Sequence, residues 1–70
     1  MTPQRKEEHI RNIAFCIQNG ASGYVTDNFV IEDLPTPQRS GTLTQQETYA
    51  NHKARQIFEA FLEQNPDIND

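Results

Sequence analysis

Two apolar stripes at helical spacing, one towards each end of a 70-residue chain, restrict the fold more than any other feature of the sequence. Ile10, Ile13, Ala14 and Ile17 recur at i, i+3, i+4 and i+7, the spacing of one helix face. Thr2 is suited to cap that helix, and Pro3 to open it, because the first helical N–H has no intrahelical partner to lose. Asn19-Gly20 supplies a stop, since glycine adopts the left-handed conformation without steric cost. The first helix is thus expected over about residues 3–19. The second stripe, Ala50, Ala54, Ile57, Phe58, Phe61 and Leu62, spans about 140° at 100° per residue, wide enough to pack on another helix. Thr44-Gln45-Gln46-Glu47 has the form of a capping box, and Asn65-Pro66 ends the segment because the residue before proline avoids helical geometry. The second helix is expected over about residues 44–64. Residues 1–65 then form a single small domain, followed by a frayed acidic tail over 66–70.

The segment between the stripes supports two readings. Tyr24-Val25 and Phe29-Val30-Ile31 suit two short strands around Thr26-Asp27-Asn28. Thr26 also suits the cap of a short helix reaching about Leu34, with Val25, Phe29 and Leu34 on one face. The helix is preferred, because an isolated two-stranded hairpin is marginal in water. Gly20-Ala21-Ser22-Gly23 is a hinge, and Pro35 to Gly41 is a polar loop bracketed by breakers. The expected fold class is all-α: two long amphipathic helices packed antiparallel, with a short third helix or turn element between them. Burial is expected to centre on Ile10, Ile13, Ile17, Phe29, Ile57, Phe58, Phe61 and Leu62.

A chain this short buries only about 60% of the surface its unfolded form exposes, and small domains usually need a staple. Cys16 stands alone, which rules out an intramolecular disulfide, and one cysteine with His9 and His52 is too few for a four-ligand structural zinc site. Self-association as a homodimer, or docking on a partner, is the expected staple. No run of 18 apolar residues is present, and the charged start Met1 to Arg11 lacks a signal-peptide core, so a cytoplasmic protein with no membrane contact is expected.

The net charge of −4 argues against broad binding to phosphate backbones, which needs clustered Lys and Arg. The charges also separate along the chain. Asp27 to Asp33 holds three acids and no base, Arg39, Lys53 and Arg55 make the centre slightly basic, and Glu59, Glu63, Asp67 and Asp70 make the end acidic.

Three groups of residues are candidates for contact with a partner. Phe15 lies about 140° from Ile10, among Glu8, Arg11, Asn12 and Gln18, on what should be the wet face. Either the middle segment folds back and Tyr24 or Leu34 covers it, or it is an exposed anchor. Glu59, Glu63 and Asp67 place like charge at a helix C-terminus, where the macrodipole prefers cations, and suit docking on a basic protein surface. Gln45, Thr48, His52 and Arg55 line the polar face of the second helix with side chains that read base edges. With a short helix before it, this order resembles a helix-turn-helix in outline, although about nine residues replace the tight turn.

Catalysis and metal binding find little support. His9 and Cys16 share a face but stand roughly 10 Å apart along the axis, too far for one ion. A Cys16–His52 dyad needs Cys16, which sits beside the apolar stripe, to leave its role as a small hydrophobe. There is no phosphate-binding glycine motif, so neither a cofactor nor a small-molecule substrate is inferred. The leading expectation is a non-enzymatic regulatory or inhibitory protein acting through protein contacts, with partner-binding residues Phe15, Glu59, Glu63 and Asp67. The alternative is a DNA-binding regulator using Gln45, Thr48, His52 and Arg55. An enzyme subunit contributing one side of a shared site is the distant third.

Overall fold

The computed structural model describes residues 1–68 and orders them as α1 (Pro3–Gln18), β1 (Tyr24–Val25), β2 (Val30–Ile31) and α2 (Leu43–Gln64). Asn69 and Asp70, the end of the expected acidic tail, lie outside the described residues.

The termini of α1 form as its sequence dictates. The Thr2 hydroxyl accepts the Arg5 N–H at 3.1 Å, and Pro3 opens the first turn. At the other end Gly20, at φ +75°, donates its N–H to Ile17 while Ala21 donates to Cys16, the paired 5→2 and 6→1 bonds of a Schellman stop. The start of α2 differs from expectation: the cap is Thr42, not Thr44. The Thr42 hydroxyl accepts from Gln45 N–H at 3.1 Å, and the Gln45 carboxamide accepts the Thr42 N–H at 2.9 Å. Thr42-Leu43-Thr44-Gln45 satisfies the same pattern as the later box, and the helix gains a residue pair by using it. Gly41, at φ +89°, brings the chain in and leaves room for the Gln45 side chain, which a Cβ there would strike.

The middle segment is a hairpin, which replaces the preferred short helix; the fold is helix-rich, close to the expected all-α class, with a small two-stranded sheet added. Tyr24 pairs with Ile31 and Val25 with Val30, antiparallel. Side chains alternate across it, with Tyr24, Phe29 and Ile31 buried and Val25 and Val30 exposed. Thr26 does make the bonds of a helix cap, its hydroxyl accepting from Asn28 N–H at 3.2 Å and Phe29 N–H at 3.0 Å. The same hydroxyl then donates to the Phe29 carbonyl, whose oxygen also accepts the Thr26 N–H, so the chain reverses instead of coiling onward. An isolated hairpin is marginal, but this one buries its inner face on both helices. Val25, expected on a shared inner face, points to solvent.

The helices run antiparallel, since Lys6 and Glu7 of α1 meet Glu59 and Arg55 of α2. Ile10, Ile13 and Ile17 face Ala50, Ala54 and Phe58, where small alanines let the two backbones approach. Ile57, Phe61 and Leu62 are only partly buried. The second stripe is wider than α1 alone can cover, so its flank reaches past α1 towards the hairpin. Pro66 and Asp67 form a turn closed by the Ile68 N–H on the Asn65 carbonyl, and Ile68 packs on the core. No helix among the described residues is long and apolar enough to cross a membrane.

Candidate functional site

Three surfaces remain once the core is formed. The first is the polar face of α2, where Gln45, Thr48 and His52 line a shallow groove with Tyr49 and with Gln38, Ser40 and Gly41 of the preceding loop. The fold thus brings together three of the four residues singled out for nucleic-acid contact, but most of their polar atoms are already engaged. The Gln45 oxygen caps the helix, the Thr48 hydroxyl donates to the Thr44 carbonyl at 2.9 Å, and Arg55 grips Glu7 through both Nη atoms at 2.8 and 2.6 Å. This hydrogen-bonded Arg55 holds the Glu7 carboxyl below the usual glutamate range, and Glu7 in turn raises Arg55. The Lys53 ammonium lies 5.9 Å from the centre of the Tyr49 ring. With the middle helix replaced by a hairpin, the helix-turn-helix outline has no first helix.

The second surface is the end of the helix pair where α1 stops and α2 starts. Phe15 is 66% exposed, and neither Tyr24 nor Leu34 covers it, because the hairpin packs on the opposite flank of α1 through His9. Leu43 is 76% exposed although it continues the ridge of Ala50 and Ala54, since α1 ends beside it. Between Gln18 and Leu43 lies a small hollow of about 180 Å³, below the roughly 300 Å³ at which ligand pockets begin.

The third surface is a groove of about 470 Å³ between β2 and the C-terminal half of α2. Val30 and Ile31 form one wall, with Glu32 and Asp33 continuing it, and Ile57, Ala60 and Phe61 form the other. The groove has no local sequence pattern, because its walls are more than twenty residues apart in the chain. The run of acids from Asp27 to Asp33 was its one visible sign.

The acidic candidates on α2 are dispersed. Glu59 is paired with Lys6 at 3.1 Å, Glu63 is exposed beside Leu62 and Lys6, and Asp67 is exposed in the turn after the helix. Cys16 packs partly buried against the core, and His52 belongs to the first groove. Among the described residues no group of three His, Cys, Asp or Glu side chains could hold a metal ion. The chain matches no protein-family model, no curated protein and no solved structure.

Proposed function

We propose that this is a small non-enzymatic regulatory or inhibitory protein that works by holding another protein. The observation that carries the reading is Phe15, which stands 66% exposed on a helix face otherwise made of Glu8, Arg11, Asn12 and Gln18. A phenylalanine in that setting contributes little to folding, yet aromatic side chains supply much of the energy at protein interfaces. Exposed Leu43 at the same end of the helix pair adds to the apolar area offered there.

Phe15→Ala should leave the melting temperature within about 2 °C, since the side chain contacts mostly water. A photo-crosslinking phenylalanine analogue at position 15 should give an adduct with a partner protein or a second copy, and the same group at Asn12 should give far less. A large fall in Tm on Phe15→Ala, or equal capture from both positions, would overturn the reading.

A further inference from the structure

We propose that the groove between β2 and the C-terminal half of α2 takes an extended, basic segment of a partner protein, added as a third strand along the edge of β2. The proposal rests on the reading that this protein acts through protein contacts, and it names the chemistry of the partner.

Three features converge on the groove. The first is an open strand edge. The sheet among the described residues has two strands, and Thr26 and Phe29 form a hydrogen-bonded pair at its turn. Antiparallel pairs alternate between bonded and non-bonded, so Tyr24 and Ile31 are bonded to each other while the Val30 N–H and C=O turn away from β1. Those groups lie along the free edge of β2, whose Val30 and Ile31 line the groove, so an incoming strand finds main-chain partners there. This is how strand addition gains affinity without depending on a single side chain.

The second feature is the apolar floor. Val30 is 47% exposed, and Ile57 and Phe61 are partly buried on the far wall. A strand laid along β2 directs every other side chain towards that wall, over Ile57 and Phe61, and sets the intervening ones beside outward-facing Val30.

The third feature is charge. Glu32 and Asp33 continue the β2 wall, and no Lys, Arg or His lines the groove. A partner segment alternating basic and apolar residues satisfies both the rim and the floor. A second copy of this chain does not, because antiparallel pairing of β2 with itself about the outward-facing Val30 brings Asp33 of each chain to Asp27 of the other, and like charges across a strand pair repel. Acids on an edge strand deter pairing between identical chains, and these do so while leaving the edge open to a cationic segment.

The experiment is an NMR titration of the full, ¹⁵N-labelled chain with an acetylated, amidated heptapeptide alternating lysine and valine. Shifts should concentrate at Val30 to Asp33 and Ile57 to Asn65. Glu32→Lys combined with Asp33→Lys should weaken binding by about tenfold or more, as should Val30→Asp. All three positions are exposed, so circular dichroism should show unchanged helix content. A peptide of the same charge with proline for the central valine lacks a main-chain donor and should also bind about tenfold less tightly. Equal binding of the proline peptide, binding of a glutamate-for-lysine peptide, or indifference to both groove variants would overturn the proposal. Shifts centred on Phe15 and Leu43, or no shifts while position 15 still crosslinks a protein, would sink the groove and leave the protein-contact reading standing. Loss of both signals would remove both.

Discussion

His9 is 3% exposed, yet its two ring nitrogens are both satisfied. Nε2 lies 3.3 Å from a guanidinium nitrogen of Arg5, and Nδ1 lies 2.7 Å from the Tyr24 hydroxyl. Both contacts are of hydrogen-bond length, so each ring nitrogen of this buried imidazole has a polar neighbour. The ring also packs against Phe29 at 5.1 Å and Phe58 at 5.5 Å between centroids, so a single side chain of α1 ties the hairpin and α2 together. Removing the hydroxyl with Tyr24→Phe takes away the buried oxygen that lies against His9 Nδ1. The expected cost is about 1–3 kcal/mol, a fall in Tm of roughly 5–15 °C in a domain of this size. In a His9→Leu background the same substitution should cost much less, because the Nδ1–hydroxyl bond is already gone. Equal effects in the two backgrounds, measured by thermal melts, would show that the 2.7 Å bond contributes nothing specific.

The hairpin is held close at Gly23, whose position would place a Cβ 2.9 Å from the Ile31 carbonyl oxygen and 3.2 Å from that of Glu32. Both obstacles are main chain, so the strands must part to admit a methyl group. Gly23→Ala should therefore destabilise by about 1–3 kcal/mol and speed amide exchange at Val25 and Ile31, with the α1–α2 pairing retained in circular dichroism. Exchange as slow as in the parent chain would show that the strands separate without cost. This element also marks where the sequence stops being legible. The helices are readable because their stripes and caps are local, and the Schellman stop at Gly20 needs no tertiary knowledge. Thr26 is ambiguous by its chemistry: the bonds its hydroxyl makes to Asn28 and Phe29 serve a helix start and a reversing turn equally well. What decides is the burial of Tyr24, Phe29 and Ile31 on helices that lie elsewhere in the chain. The burial of His9 follows from the same cause, since its partner Tyr24 belongs to the segment whose form was in doubt. Phe15 was visible as an oddity of angle alone, but whether anything covered it depended on which flank of α1 the hairpin chose. The groove between β2 and α2 had no local signature beyond a run of acids.

At the scale of the whole molecule, the relation between the helices is fixed by the alanine-lined core and marked at its edge by two ion pairs. Lys6 meets Glu59, and Arg55 meets Glu7 in a bidentate contact across 48 residues of sequence. Neither pairing is deducible from the two stripes, because sliding one helix by a turn keeps the apolar contact and changes every charged neighbour. Each pair cancels one acid against one base and leaves the net charge of −4 unchanged, while Glu32, Asp33, Glu63 and Asp67 form no salt bridge among the described residues. The Glu7–Arg55 contact also gives stability a dependence on pH. Glu7 is depressed in the folded chain, first by the hydrogen bond from Arg55, so the folded state binds its proton more weakly than the unfolded state does. Its contribution is accordingly complete above the unfolded glutamate value of about 4.3, and is lost as pH falls through the lower folded value. Both side chains are solvent-exposed, which keeps the effect small and sensitive to salt. Urea unfolding of the parent chain and of Glu7→Gln should therefore differ by a constant amount above about pH 5, converge as the pH drops below 4, and converge at neutral pH when salt is raised towards 1 M. A gap that persists unchanged at low pH would mean that the Glu7 carboxylate owes its place to packing rather than to the charge of Arg55.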